Sequence, residues 1–285
     1  MTPEPVRLRR AFDRHARHHA HSAVLAKEVG NRLLEHLAFL KPAARRILDL
    51  GAGTGMASGE LNRLFPQAEI LNVDFSLELL RTQPRQRRSW WPFGTAGQRH
   101  MLCAEASQLP LAAGSIDLVW SNLLFPCCDP EALIPEVHRV LAPEGLFIFS
   151  TLGPDTLKEL KQVFARHPDG CAHLQEFADM HDVGDALVHA GFSDPVMDRE
   201  DLTAIYSSLP DLLRDLRLVG GINTLESRRR SLIGRRRWKA LAEEYERLRR
   251  NDGLPATFEI VYGHAWKPAL RKMPDGRPII SLKTA

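Results

Sequence analysis

The stretch Arg46-Ile47-Leu48-Asp49-Leu50-Gly51-Ala52-Gly53-Thr54-Gly55 constrains this chain most. A short apolar run ends on an acidic residue and turns through three glycines. Such a pattern reads as a buried strand entering a helix, with the backbone left open to a ligand where any Cβ would obstruct it. A dinucleotide fits poorly. Its fingerprint sets the last glycine three residues after the second, so that backbone amides wrap a pyrophosphate at a helix N-terminus. Here the order is Asp-x-Gly-x-Gly-x-Gly, and Asp49 would repel a pyrophosphate. The same carboxylate suits an ammonium group. With Asp74 at the end of the next strand, the pattern favours S-adenosylmethionine, whose amino acid end is partly cationic and whose ribose offers two hydroxyls.

The unit then repeats. A helix is expected over 54–65, with Leu61, Leu64 and Phe65 inward and Pro66 as its stop. A strand over 68–74 follows, and Ser76 caps a helix carrying Leu77, Leu79 and Leu80. Further strands are expected at 99–103, 115–120 and 146–150, the last two separated by a helix over 130–141. Five alternations of strand and helix with short connections predict an α/β fold, a doubly wound, mostly parallel sheet with right-handed crossovers. Ligands of such sheets lie across the carboxyl ends of the strands. Those ends hold Asp49, Asp74, Glu105, Asn122 and Thr151. Polar groups at every strand end carry more weight than the glycines alone.

Helices over 156–166 and from 177 toward Gly191, a sixth strand at 201–206, an almost wholly helical stretch 210–250 and a seventh strand at 257–266 complete the pattern. The expected organisation is an N-terminal arm and helix (1–41), a cofactor-binding core (42–206), a helical lid insertion (207–254), a final core strand (255–266) and a tail (267–285). Residues 6–17 are basic and partly amphipathic. They read either as a solvated arm or as a segment folding over the ligand mouth. The loop containing Trp90-Trp91, behind Arg85, Arg87 and Arg88, reads either as a contact for an acidic surface or nucleic acid or as cover for the sheet edge.

Composition narrows the partners. Thirty-eight basic residues against 35 acidic ones give a net charge of +3, which offers no reason to propose nucleic acid. The 4 cysteines form no C-x-x-C pair or disulfide framework, so reduced thiols in a cytoplasmic protein are expected. No apolar run reaches the roughly 18 residues of a membrane span. The histidines share no recurring spacing, and no metal site is expected.

Beyond the glycine loop, the run Phe149-Ser150-Thr151-Leu152-Gly153-Pro154-Asp155-Thr156-Leu157-Lys158-Glu159-Leu160 strongly resembles the biotin-synthesis malonyl-acyl-carrier-protein O-methyltransferase family, within the class I S-adenosylmethionine-dependent methyltransferases. Arg10-Ala11-Phe12-Asp13-Arg14, Ser121-Asn122-Leu123, Met180-His181-Asp182-Val183-Gly184 and Tyr262-Gly263-His264-Ala265-Trp266 match it too. The resemblance implies that Asp49, Gly51, Gly53 and Gly55 form the first cofactor motif. It implies ribose recognition by Asp74 beside Phe75, adenine recognition at Glu105 between Ala104 and Ala106, and a methyl-donor loop at Asn122. Phe125-Pro126-Cys127-Cys128 departs from the family's glutamine-tryptophan-cysteine on the acceptor side.

The implied reaction methylates the free carboxylate of a malonyl thioester on acyl carrier protein, in the early pimeloyl stage of biotin synthesis. A carboxylate is ionised at neutral pH, so alignment and partial desolvation matter more than a general base. Tyr206, Arg214 and Arg217, flanking the lid entry, and Arg14, if the arm closes, are the candidates for positioning it. Arg228 to Arg230 and Arg235 to Arg237 read either as steering groups for the acidic carrier protein or as a solvated helix face. Two alternatives stand beside this reading: a complex I assembly factor-like protein hydroxylating an arginine, and a non-enzymatic assembly or binding protein that kept the cofactor fold.

Overall fold

A computed structural model describes residues 5–22, 24–84, 99–218, 233–250 and 252–269. Two N-terminal helices, α1 (Pro5–Ser22) and α2 (Val24–Leu40), precede the alternating core. That core is β1 (Arg46–Leu50), α3 (Ser58–Leu64), β2 (Glu69–Asp74), α4 (Leu77–Thr82), β3 (Arg99–Cys103), β4 (Ile116–Asn122), a 3-10 turn at Phe125–Cys127, α5 (Pro130–Val140) and β5 (Leu141–Leu152). Then come α6 (Lys158–Arg166), α7 (Met180–His189), β6 (Ser193–Tyr206), α8 (Leu209–Leu218), α9 (Arg235–Glu246) and β7 (Leu254–Trp266).

The strands form one 7-stranded sheet in the order β3-β2-β1-β4-β5-β7-β6. β1 to β5 are parallel, and β7 runs antiparallel to both β5 and β6. This is the doubly wound, mostly parallel sheet expected from the sequence. Strand residues alternate between its faces. Ile47, Leu118 and Ile148 pack with α2, α6, α8 and α9, whereas Leu48, Val119 and Phe149 pack with α5 and α7.

Three element boundaries differ from expectation. β6 begins at Ser193, not 201, because it is an edge strand: its register shifts between Ser193 and Val196, and such an irregularity at an edge tolerates Pro195, which has no N–H to donate. The stretch expected to be almost wholly helical holds α8 and α9, the latter starting after an extended Gly234, and residues 219–232 lie outside the described residues. β5 and β7 are longer than the apolar runs that revealed them. The Trp90-Trp91 loop with its arginines, Arg228 to Arg230, and residues 270–285 lie outside the described residues.

The antiparallel strand decides where the insertion emerges. β5 ends at Leu152 opposite Ile260, while β7 starts earlier, at Leu254, opposite Tyr206 of β6. The β6–β7 connection therefore leaves the sheet beyond the carboxyl end of β5, on the side where the parallel strands present their polar residues.

Candidate active site

Gly51, Gly53 and Gly55 all adopt positive φ, at 77°, 52° and 73°. Left-handed backbone of this kind strains any residue with a Cβ. At Gly51 a Cβ would also stand 3.0 Å from Leu124, and at Gly55 it would stand 3.0 Å from Gln83. The loop is pinned to β2: Gly51 and Ala52 donate to the Val73 carbonyl, and Gly53 donates to Asp74 Oδ2 at 2.8 Å. Asp74 Oδ1 accepts from Ser76 N, also at 2.8 Å. The Ser76 hydroxyl in turn donates to Asp13 of α1 at 2.6 Å.

That last bond decides between the two readings of the N-terminal segment. α1 seats over the strand ends, with Leu8, Phe12 and Ala16 packed on Leu79. Phe12 meets Phe75 edge-on at 5.5 Å. The hydrophobic stripe of α1 is thus buried while its arginines face outward.

Beneath α1 lies a cavity of about 240 Å³. Its lining includes Gly51, Gly53, Asp74, Phe75 and Asn122 together with Leu25, Leu157, Phe177 and Phe258. A smaller recess of about 30 Å³ adjoins it through Asp74 and Phe75 and is walled by Ala104, Glu105, Ala106, Cys127 and Cys128. Gly51 and Gly53, Asp74, and Ala104 to Ala106 therefore line adjoining spaces. Asp49 lies just behind them, 3% exposed, and its Oδ2 has no hydrogen-bond partner among the described residues.

Burial pushes the Asp49 carboxyl up to about 7, with Asp74 adding to the rise and Arg99 opposing it. Burial likewise pushes Asp74 up to about 6, against the two backbone N–H bonds that favour its ionised form. An ionised Asp49 would suit a cationic amino acid end, and an ionised Asp74 would be the stronger hydrogen-bond acceptor for hydroxyls. S-adenosylmethionine affinity is accordingly expected to fall by about tenfold or more between pH 8 and about pH 5.5, as protons return to the two groups. The unliganded fold behaves oppositely. Raised carboxylate values give stability that is present at acid pH and lost as pH rises through about 6 and about 7. Calorimetric titrations and melting curves at the two ends of this range read both trends, and a flat affinity profile would remove the two carboxylates from cofactor recognition.

Asn122 lines the cavity, but its amide is engaged: it donates to the Ala26 carbonyl of α2 at 2.7 Å and accepts from Ser150 Oγ at 2.7 Å. It holds α2, β4 and β5 together at the mouth. The acceptor-side candidates are more scattered. Tyr206 packs into the core on the α2 side of the sheet rather than lining the cavity, and burial raises its phenol. Arg214 lies on the exposed face of α8, paired with Asp211. Arg14 is exposed on α1. Arg217 belongs to α8, but its side chain lies outside the described residues. Among the described residues of α8, Leu216 brings the helix to the cavity.

Cavity-lining residues that the sequence does not reveal as such include Thr156, His173, Leu174, Gln175 and Phe177. Thr156 lay within the distinctive run 149–160, which was the available signal. The segment 173–177 carries no periodicity and gave none. Leu123 and Leu157 line the cavity with positive φ of 55° and 56°, conformations uncommon for leucine that their backbone bonds to Ser150 and Thr257 hold in place.

Comparison with known proteins gives a consistent result. A methyltransferase domain family matches residues 48–149. A malonyl-acyl-carrier-protein O-methyltransferase of Gallionella capsiferriformans is 49% identical over 275 residues, covering 96% of this chain and 94% of the relative. Its counterpart in Laribacter hongkongensis is 45% identical over 285 residues, covering 96% and 94%. Among solved structures, YcgJ from Bacillus subtilis matches with a TM-score of 0.55 at 15% identity, covering 84% of this chain and 99% of that one. The SpnF cyclase matches at 0.50 and 18%, covering 84% and 80%. Likeness at that level shows the fold alone, and the cyclase illustrates why fold is not function.

Proposed function

This chain belongs to the malonyl-acyl-carrier-protein O-methyltransferase family, and we propose from that premise that it esterifies the free carboxylate of a malonyl thioester carried on acyl carrier protein. The observation that carries the reading is identity near one half along 94% of a relative of that name. The ester it forms would open the pimeloyl stage of biotin synthesis. No observation favours the hydroxylase or assembly-protein alternatives.

The residues present fit S-adenosylmethionine. Backbone open at three positive-φ glycines, an orphaned buried carboxylate oxygen on Asp49 and the adjoining recess form a cradle for a cationic nucleoside. In this reading Asp49, Gly51, Gly53 and Gly55 hold the amino acid end. Asp74 and Phe75 take the ribose, Ala104, Glu105 and Ala106 the adenine side, and Asn122 shapes the mouth. When bound, the cofactor supplies an electrophilic methyl group. The protein's part is to orient the acceptor oxygen and exclude water, because the carboxylate is already ionised and needs no base. Apolar walls from Leu25, Leu157, Leu216 and Phe258 support that exclusion. Leu216 also supports treating residues 207–254 as a lid.

Docking of the acidic carrier protein falls to exposed cations near the insertion. Arg235 and Arg236 are exposed on α9, while Arg237 is turned inward to the His167 carbonyl and Asp169. A cytoplasmic location agrees with four free cysteines, and among the described residues no helix is long and apolar enough to cross a membrane.

The test is methyl ester formation by the purified chain on malonyl-acyl carrier protein, followed by mass spectrometry, with malonyl-CoA and acetyl-acyl carrier protein as comparisons. Ester is expected on the malonyl carrier protein and not on the acetyl one. Cofactor binding without ester on either malonyl acceptor overturns the reading.

A further inference from the structure

An ionised carboxylate entering an apolar cavity needs a hydrogen-bond donor, preferably a cationic one, to offset lost hydration. Among the described residues lining the cavity, His173 is the only side chain able to carry positive charge. The other polar groups there are poorly suited. Asp74 is an acid; Thr156 gives its hydroxyl proton to the Glu259 carbonyl; Asn122 and Gln175 donate to the carbonyls of Ala26 and Pro126.

His173 is also held in one orientation. Its ring stacks on Phe164 of α6, with centroids 4.2 Å apart and planes 3° from parallel. Nε2 lies 2.7 Å from Asp169 Oδ1. Asp169 is fixed in turn by Cys171 N at 3.1 Å and by Arg237 of α9 at 3.1 Å. A histidine with one nitrogen on a carboxylate keeps the other for a ligand, and with both nitrogens protonated it donates on both sides.

We propose that His173, oriented by Asp169 and the Phe164 ring, binds the free carboxylate of the acceptor through Nδ1. This rests on the malonyl-thioester reading. It replaces the arginines and tyrosine named from sequence with a residue that lines the cavity. The Asp169–Arg237 pair gives α9 a second consequence: the insertion helix that closes the sheet also fixes the partner of the acceptor-binding imidazole.

The experiment measures dissociation constants of malonyl-pantetheine and acetyl-pantetheine by calorimetry, with S-adenosylhomocysteine present, for wild type, His173→Phe and His173→Asn. Phenylalanine keeps the stack on Phe164 but removes the donor; asparagine keeps an N–H near the position of Nδ1. Wild type is expected to prefer the malonyl probe. His173→Phe should weaken that probe by about 10- to 100-fold, the range for a charge-assisted hydrogen bond. Acetyl-pantetheine and S-adenosylhomocysteine affinities should stay unchanged, and asparagine should recover part of the loss. Retention of the malonyl preference in His173→Phe overturns the assignment, as does an equal loss for all three ligands, which would mark a purely structural role. A wild type with no preference between the probes removes the malonyl reading itself, and this assignment with it.

Discussion

Replacing Asp74 with alanine is expected to weaken S-adenosylmethionine binding by about 100-fold or more, about 3 kcal/mol. Two losses combine. The carboxylate lines both the main cavity and the smaller recess, so its remaining lone pairs are those available to a ribose. It also accepts the backbone N–H groups of Gly53 and Ser76, and through Ser76 it connects the glycine loop to Asp13 on α1. Truncation leaves both amides without their acceptor and loosens the loop as well as the ligand. Asp74→Asn keeps an oxygen at the site and should fall between the two. Calorimetry measures the affinity, with circular dichroism to establish that the variants are folded. An alanine variant that binds the cofactor like wild type would refute the ribose assignment.

The second large effect is expected far from the glycines in sequence. Glu259, on β7, is 2% exposed. Its Oε2 accepts from Asp155 N at 2.6 Å, and its Oε1 lies 3.3 Å from Arg199. Its backbone pairs with Gly153 and with the Thr156 hydroxyl. These bonds hold the segment after β5 against β7, the segment that presents Thr156 and Leu157 to the cavity. Gly153 is tolerated there because it has no Cβ; one would approach Glu259 Cδ to 2.4 Å. Glu259→Ala strands the part-buried Asp155 N–H, takes one of three acidic neighbours from the half-exposed Arg199 and leaves a cavity beside Gly153, at a cost of about 3 kcal/mol. The melting temperature should fall by about 6–12 °C. The acceptor KM should rise about tenfold or more as the segment loses its position, while cofactor affinity changes little. Glu259→Gln keeps an acceptor for Asp155 and should lose less. Differential scanning calorimetry and steady-state kinetics measure these quantities; an alanine variant melting with wild type would show that the carboxylate does not anchor the segment.

The contrast between Asp74 and Glu259 marks what a reader of the sequence could see. Asp74 ends an apolar run with strand periodicity, and local physics alone places such a residue at the carboxyl edge of a parallel sheet. The same holds for Asp49 and the glycines. Glu259 sits inside the seventh strand, where alternation along the sequence does not tell whether one face or both are covered. β7 lies between β5 and β6 with both faces covered.

The acceptor side was harder still. Tyr206 and Arg214 were chosen for lying near the lid entry, yet nearness along the chain does not fix which way a side chain points. Tyr206 turns into the core, and the face of α8 that meets the cavity carries Leu216. His173 had no local signal, since its significance comes from Phe164, Asp169 and the cavity wall together.

The sequence by itself determined the alternating α/β architecture and the polar residues and glycines that stand along the carboxyl edge of its parallel strands. These depend on periodicity, glycine conformation and charge within a few residues. Only the tertiary structure decided that α1 packs over the strand ends, that β7 reverses direction and brings the insertion to the same edge, and that a histidine lines the cavity. Each of those rests on contacts between segments distant in the chain, where the free energy comes from surfaces that meet only after folding.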